Sequence, residues 1–315
     1  EVATEPRWAE QLPHWLATAD TAQPALAARP LDPRRDTVAT ARTTVVEVDP
    51  EVTSALLTTA PAAFRVSVDD VLLTGFGLAV REWLARRGER LPDGLLVDRE
   101  GHGRHEDAVA PGLDLSRTVG WFTSLYPVRV DVPALAWADV LAAGDPVGGA
   151  LKQVKEGLRA VPDHGLGYGL LRHLNPDTAG KLAACPAPQI GFNYLGRTSV
   201  GGTDRDWTPL TDTGADGAVG DAELPFAHVL EVNAFTEDRA DGPRLVAALS
   251  WPAALLDEPD VAALGGLWRD ALGALAAHAR DPRAGGLTPS DEALVPLSQK
   301  HIDRLEAMMR KASRS

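Results

Sequence analysis

A capped helix running into a four-residue apolar strand constrains this chain more than any other feature. Ser67-Val68-Asp69-Asp70 has the form of a capping box, a Ser N-cap with an acidic residue three places on. Behind it Val68, Val71, Leu72, Phe76, Ala79 and Trp83 fall on one helical face, and the pattern stops near Arg86-Arg87-Gly88. Gly94-Leu95-Leu96-Val97 then reads as a buried strand. It stops on a charged, glycine-punctuated turn, Asp98-Arg99-Glu100-Gly101-His102-Gly103-Arg104. The helix is expected beneath the strand, with Glu100 at the strand's exposed end.

Helices and strands alternate loosely along the rest of the chain, which predicts an α/β class with a mixed sheet. Thr43–Val48 is β-branched and strand-like, and Asp49-Pro50 opens a short helix carrying Val52, Leu56 and Leu57. Ser124–Val132 alternates like a half-buried strand, and Gly149–Val161 reads as a helix. Pro188–Gly196 is a strand with two polar side chains, Asn193 and Tyr194. Strands follow at Ala227–Phe235 and Arg244–Trp251, then helices at Asp260–Arg280 and Ser298–Lys311. Pro162–Gly169 and residues 197–222 read as loops. Near the start, Trp8, Leu12, Trp15 and Leu16 stand at helical spacing, with nothing before them to receive that apolar face. This first helix is expected to pack weakly or belong elsewhere, and Pro24–Thr37 to run outside the fold as a linker.

Charge narrows the function classes. The 315 residues carry 31 Lys and Arg against 44 Asp and Glu, a formal charge of −13. No basic field exists to draw in nucleic acid or an anionic membrane, so neither is expected as a partner. A hydrophobic share of 44% is ample for a core. Cys185 is the single cysteine, which excludes an intrachain disulfide and any CxxC site. There is no apolar run of membrane-spanning length and no signal-like segment, so the expected home is cytoplasmic.

Read singly, the candidate residues leave alternatives open. Glu100 among glycines at a strand end suits a general acid/base, or is simply a solvated turn carboxylate. His102, His105 and Glu106 share one glycine loop with no distant third ligand evident, so they are read as loop residues rather than metal ligands. His102 is expected to hydrogen-bond locally. Asn193-Tyr194 is either a satisfied polar pair in the core or a pair whose partner is substrate. Gly165-Leu166-Gly167-Tyr168-Gly169 lacks dinucleotide-loop spacing, and neither a GxSxG elbow nor a P-loop occurs. His228, Glu231 and Asn233 are read as residues on a strand.

In order, however, five runs resemble a known family. Val68–Leu73, Glu100–Arg104, Arg117–Thr123, Pro162–Gly169 and Phe192–Gly196 are similar to the later signature motifs of epimerization domains of nonribosomal peptide synthetases, relatives of the condensation domains. The resemblance runs from about residue 8 to about residue 300, and Leu294–Gln299 is similar to the ending of such domains. It implies a chloramphenicol-acetyltransferase-like fold of two α/β lobes in a V. Between them lies a tunnel for the 4′-phosphopantetheine arm of a peptidyl carrier protein. It also implies inversion from L to D at Cα of a carrier-bound aminoacyl or peptidyl thioester, with no cofactor of the domain's own. Glu100 would be the base, with Asn193 and Tyr194 in the site and Gly101, His102, Gly103, Arg104 and Trp121 beside the substrate.

The family's HHxxxDG motif does not occur in these residues. The resemblance therefore implies that 1–42 is the end of the N-terminal lobe and its linker, 43–290 the C-terminal lobe, and 291–315 a C-terminal linker and helix. Without the missing N-terminal lobe the chain is expected to be inactive and to expose apolar surface near Glu100. The alternative is a non-catalytic relative that recruits cytochrome P450 oxygenases in glycopeptide-type synthetases. The presence of Glu100, Asn193 and Tyr194 favours the enzyme.

Overall fold

A computed structural model describes residues 2–106, 112–199, 221–292, 298–302, 304 and 308. Its centre is a six-stranded mixed sheet. The strands are β1 (Ala41–Val48), β2 (Leu95–Gly101), β3 (Ser124–Val130), β4 (Ile190–Ser199), β5 (Leu230–Arg239) and β6 (Gly242–Pro252), in spatial order β1-β6-β5-β4-β2-β3. The β2–β4 and β4–β5 pairs are parallel, and the others antiparallel. The predicted α/β class with a mixed sheet is thus what the chain adopts, and the Glu100 strand lies inside the sheet.

The long helices are α1 (Leu12–Ala19), α2 (Val68–Arg86), α3 (Asp145–Arg159), α4 (Pro176–Ala183) and α5 (Glu258–Ala279). In α2 the expected capping box is present: Ser67 Oγ accepts from the Asp70 backbone N–H at 3.2 Å, and the Ser67 N–H donates to Asp70 Oδ2 at 2.8 Å. Phe76 of α2 meets Phe192 of β4 and Trp268 of α5 at ring distances of 5.6 and 5.3 Å. These three rings tie both helices to one face of the sheet. Ser67→Ala removes one end of the cap and is expected to cost about 1 kcal/mol, read as a lower urea midpoint with unchanged m.

The start of the chain departs from expectation. Trp8 and Trp15 are fully buried, and Trp15 lies edge-on to Tyr126 of β3 and to Tyr168. Packing is therefore tight, because the apolar face of α1 is received by β3, α4 and the 166–174 segment. Nor is Pro24–Thr37 an outside linker. Leu26 is 2% exposed, its N–H donates to Gln189 Oε1, and its carbonyl accepts from Arg87. Asp36 is buried in a two-pronged pair with Arg29. Pro162–Gly169, expected as a loop, is a 3-10 turn followed by one helical turn, Leu166–Gly169. Residues 200–220 of the expected surface loop, and most of the expected Ser298–Lys311 helix, lie outside the described residues.

Candidate active site

Two parallel neighbours, β2 and β4, deliver the candidate residues to one place. Asp98 pairs with Gly191 and Arg99 with Phe192, so the next residues along stand side by side: Glu100 near the carboxyl end of β2 and Asn193 within β4. That end of an open parallel pair is where ligand crevices form. Here the N-terminus of α2 and the C-terminus of α3 close around a cavity of about 1160 Å³. Glu100, His102, Arg104, Trp121, Asn193 and Tyr194 border it, as does Gly101. Gly103 makes the turn behind. Its φ of +64° suits glycine, and a Cβ there would overlap the Phe122 carbonyl.

Glu100 is half-buried, and Asn193 Nδ2 donates to its Oε2 at 2.9 Å. Burial pushes the Glu100 carboxyl above the usual carboxylate range, and the nearby Glu231 charge adds to this while His228 opposes it. Such a carboxylate binds a proton more strongly than one in water. The Tyr194 hydroxyl sits 2.9 Å from Thr236 Oγ1 of β5, and burial raises its pKa, so it stays a neutral phenol. Asn193 and Tyr194 are thus both satisfied within the protein and both at the cavity wall.

The loop residues divide by role. His102 Nδ1 accepts from the Arg104 N–H at 3.0 Å, the local bond expected of it. The Arg104 guanidinium donates to the Leu115 and Thr118 carbonyls and lies 4.4 Å from the Phe122 ring centre, which binds the segment beyond residue 112 to the turn. Trp121 is 91% exposed, Val119 99% and Leu195 62%. Trp121 and Leu195 on the cavity border, with Val119 close by in sequence, therefore leave apolar side chains exposed there.

Several site residues were not legible in the sequence. His164 arrives from the Pro162–Gly165 turn and stacks on His105 at 4.0 Å, while His105 meets His102 at 4.3 Å. His105 and His164 are stacked and His102 is tilted against His105, and among the described residues no group of His, Cys, Asp or Glu is arranged to hold a metal ion. Asp163 and His164 take left-handed φ values of +44° and +54°, and Gln11 Nε2 holds Asp163 Oδ2 at 2.6 Å. Burial, helped by His164, His102 and Arg99, lowers the His105 pKa from 6.5 to about 4. The folded state thus resists protonation of His105. Its contribution to stability is fully present above pH 6.5 and lost as the pH falls to about 4. Between neutral pH and about 4, the Tm of His105→Asn is expected to fall less than that of the native chain.

On the far side of Glu100, His228 Nε2 lies 2.9 Å from Asp98 Oδ2 and Nδ1 3.8 Å from Glu231 Oε1. Arg99, on the opposite face of β2, pairs with Asp69 at the start of α2 and donates to the Tyr126 hydroxyl. The alternation of Asp98, Arg99 and Glu100 along one strand was the available signal, since it sends Asp98 and Glu100 to one face and Arg99 to the other.

Comparison with known proteins places the chain. Residues 1–212 match the condensation domain family. The chain is 37% identical over 258 residues to one component of the linear gramicidin synthase of Brevibacillus parabrevis, covering 80% of this chain and 4% of that protein. It is 33% identical over 300 residues to a second component of the same synthase, covering 92% of this chain and again 4% of that protein. Among solved structures, the epimerization domain from the third module of tyrocidine synthetase B superposes with a TM-score of 0.69 at 27% identity, over 88% of this chain and 57% of that one. The X-domain in complex with OxyB from teicoplanin biosynthesis superposes at 0.52 and 18% identity, over 87% and 53%, a likeness of fold alone. The chain belongs to the condensation-domain family, and its fold is of the chloramphenicol-acetyltransferase-like type. It spans just over half of the epimerization-domain chain and a small fraction of the synthases. Among the described residues no helix is long and apolar enough to cross a membrane.

Proposed function

We propose that this chain supplies the Glu100-bearing wall of an epimerization site acting on a carrier-bound aminoacyl or peptidyl thioester. The observation that carries the reading is the Asn193–Glu100 pair at the cavity wall, where burial makes the carboxylate a stronger base. The 27% identity to an epimerization domain supports it. Glu100 takes the α-proton, and the C–H electron pair moves to the thioester oxygen as an enolate. A second group on the facing wall then delivers a proton to the opposite face of Cα, giving the inverted centre, and Glu100 passes the proton it took to solvent. Asn193 orients Glu100, while Tyr194, its hydroxyl bonded to Thr236, forms part of the cavity wall. The facing wall would come from a lobe bearing the HHxxxDG motif, which these residues lack. Exposed Trp121, Val119 and Leu195 suit a surface that such a lobe and the phosphopantetheine arm would cover.

The test is solvent exchange. The domain assembled with its HHxxxDG lobe is mixed in D₂O with an aminoacyl carrier protein, and deuterium at Cα and the D/L ratio of released product are measured. The expected result is exchange with inversion. No exchange on any carrier-bound substrate, together with tight binding of a cytochrome P450, would establish the oxygenase-recruiting alternative instead. In the same assay Asn193→Ala is expected to slow exchange by less than loss of Glu100 does, since it removes the orienting bond and leaves the base.

A further inference from the structure

One charged group in the molecule has no part in the chemistry above, yet the sheet is shaped around it. Register places Asp98, Gly191 and Glu231 in a single row across β2, β4 and β5. His228 stands just before β5, and its ring lies directly over the middle of that row. A Cβ on residue 191 would come within 2.7 Å of His228 Nδ1, so the glycine opens the slot through which the ring crosses β4. From there Nε2 reaches Asp98 at 2.9 Å, and Nδ1 faces Glu231 at 3.8 Å.

We propose that His228 is a positioning residue for Glu100: set in the slot at Gly191, it gathers the Asp98 and Glu231 carboxylates behind the cavity and thereby governs how strongly Glu100 holds a proton. The inference rests on Glu100 being the base of the proposed reaction. His228 does not border the cavity, so it acts through Glu100 rather than on substrate.

Charge balance around Glu100 depends on His228. Asp98 and Glu100 share a face of β2, and Glu231 faces them from β5. Asn193 on β4, which contacts Glu100 directly, is neutral. The Glu231 charge discourages ionisation of Glu100, the group that must be an active base. An imidazole with a carboxylate at each ring nitrogen is held as the doubly protonated cation. Burial alone would lower the His228 pKa, but the Asp98 and Glu231 partners prevail and raise it to about 9. The cation therefore persists across the pH range in which the base must work. It offsets Asp98 and Glu231 and pulls Glu100 down, while Glu231 pushes Glu100 up.

The experiment follows the Glu100 side-chain carboxyl of the full 315-residue chain by ¹³C NMR titration, with no substrate present. Removing the cation in His228→Gln is expected to raise the Glu100 midpoint. Removing the opposing charge in Glu231→Gln is expected to lower it. Opposite movements are the signature, because loosened packing alone would not reverse its sign between the two variants. An unmoved Glu100 in either variant, or shifts in the same direction, would overturn the proposal. Should His228→Gln fail to fold, His228→Asn is titrated in its place, with the same upward movement of the Glu100 midpoint expected and an unmoved midpoint overturning the proposal. The acid limb of the pH–rate profile of the assembled domain is expected to move the same way as the midpoint. A failure of the epimerase reading would look different: no α-hydrogen exchange in the unsubstituted domain, whatever the titrations give.

Discussion

Glu100→Gln in the assembled domain is expected to abolish inversion while leaving the fold and carrier-protein docking intact. The amide keeps the size of the side chain and can still accept from Asn193 Nδ2, so the wall of the cavity is preserved. It cannot take up a proton. Loss of a positioned acid/base costs on the order of 100- to 10,000-fold. The readout is deuterium incorporation at Cα beside the D/L ratio, with the urea midpoint as the control for folding. Exchange and inversion at the native rate would remove Glu100 from the reaction. Tyr194→Phe, which loses the hydroxyl bonded to Thr236, is expected to retain more activity than Glu100→Gln.

Trp15→Ala is expected to be strongly destabilising, although the residue lies outside the sheet. The indole is wholly buried between Tyr126 and Tyr168, with ring distances of 6.3 and 5.3 Å. Truncating so large a core side chain costs about 3–5 kcal/mol, a substantial part of what holds an ordinary domain together. Trp15→Phe should cost less, because it keeps much of the volume and removes an indole N–H that has no hydrogen-bond partner among the described residues. Urea unfolding of the full chain distinguishes the outcomes. A loss near zero would mean that α1 contributes nothing to this body, the behaviour its isolated amphipathic pattern predicted.

That contrast shows where sequence reading reaches its limit. The start of α2 was legible because a capping box and a 3.6-residue apolar period are local, and Ser67 and Asp70 find each other three residues apart. The β5–β6 hairpin was legible for the same reason, although pairing extends the strands to Arg239 and Gly242. The surface that receives Trp8 and Trp15 was not, because β3 and the 166–174 segment lie far along the chain. A helix with an apolar face and no neighbour in sequence looks unpartnered until the tertiary fold supplies one. The same holds for Pro162–Gly169: its glycines look like a loop, while packing against Tyr126 and Gln11 holds it as short turns.

By itself the sequence determined the α/β class, the placing of Glu100 at a strand end and of Asn193-Tyr194 within a strand, because each depends on residue order and period alone. The tertiary structure decided which groups meet. Glu100 and Asn193 are 93 residues apart, and His228 and Asp98 130 apart, yet each pair lies within hydrogen-bonding distance. Parallel pairing of β2 with β4 and of β4 with β5 sets that register. The basicity of Glu100 follows from the same cause. Coulomb interactions depend on separation and burial, and neither quantity exists until the strands are aligned.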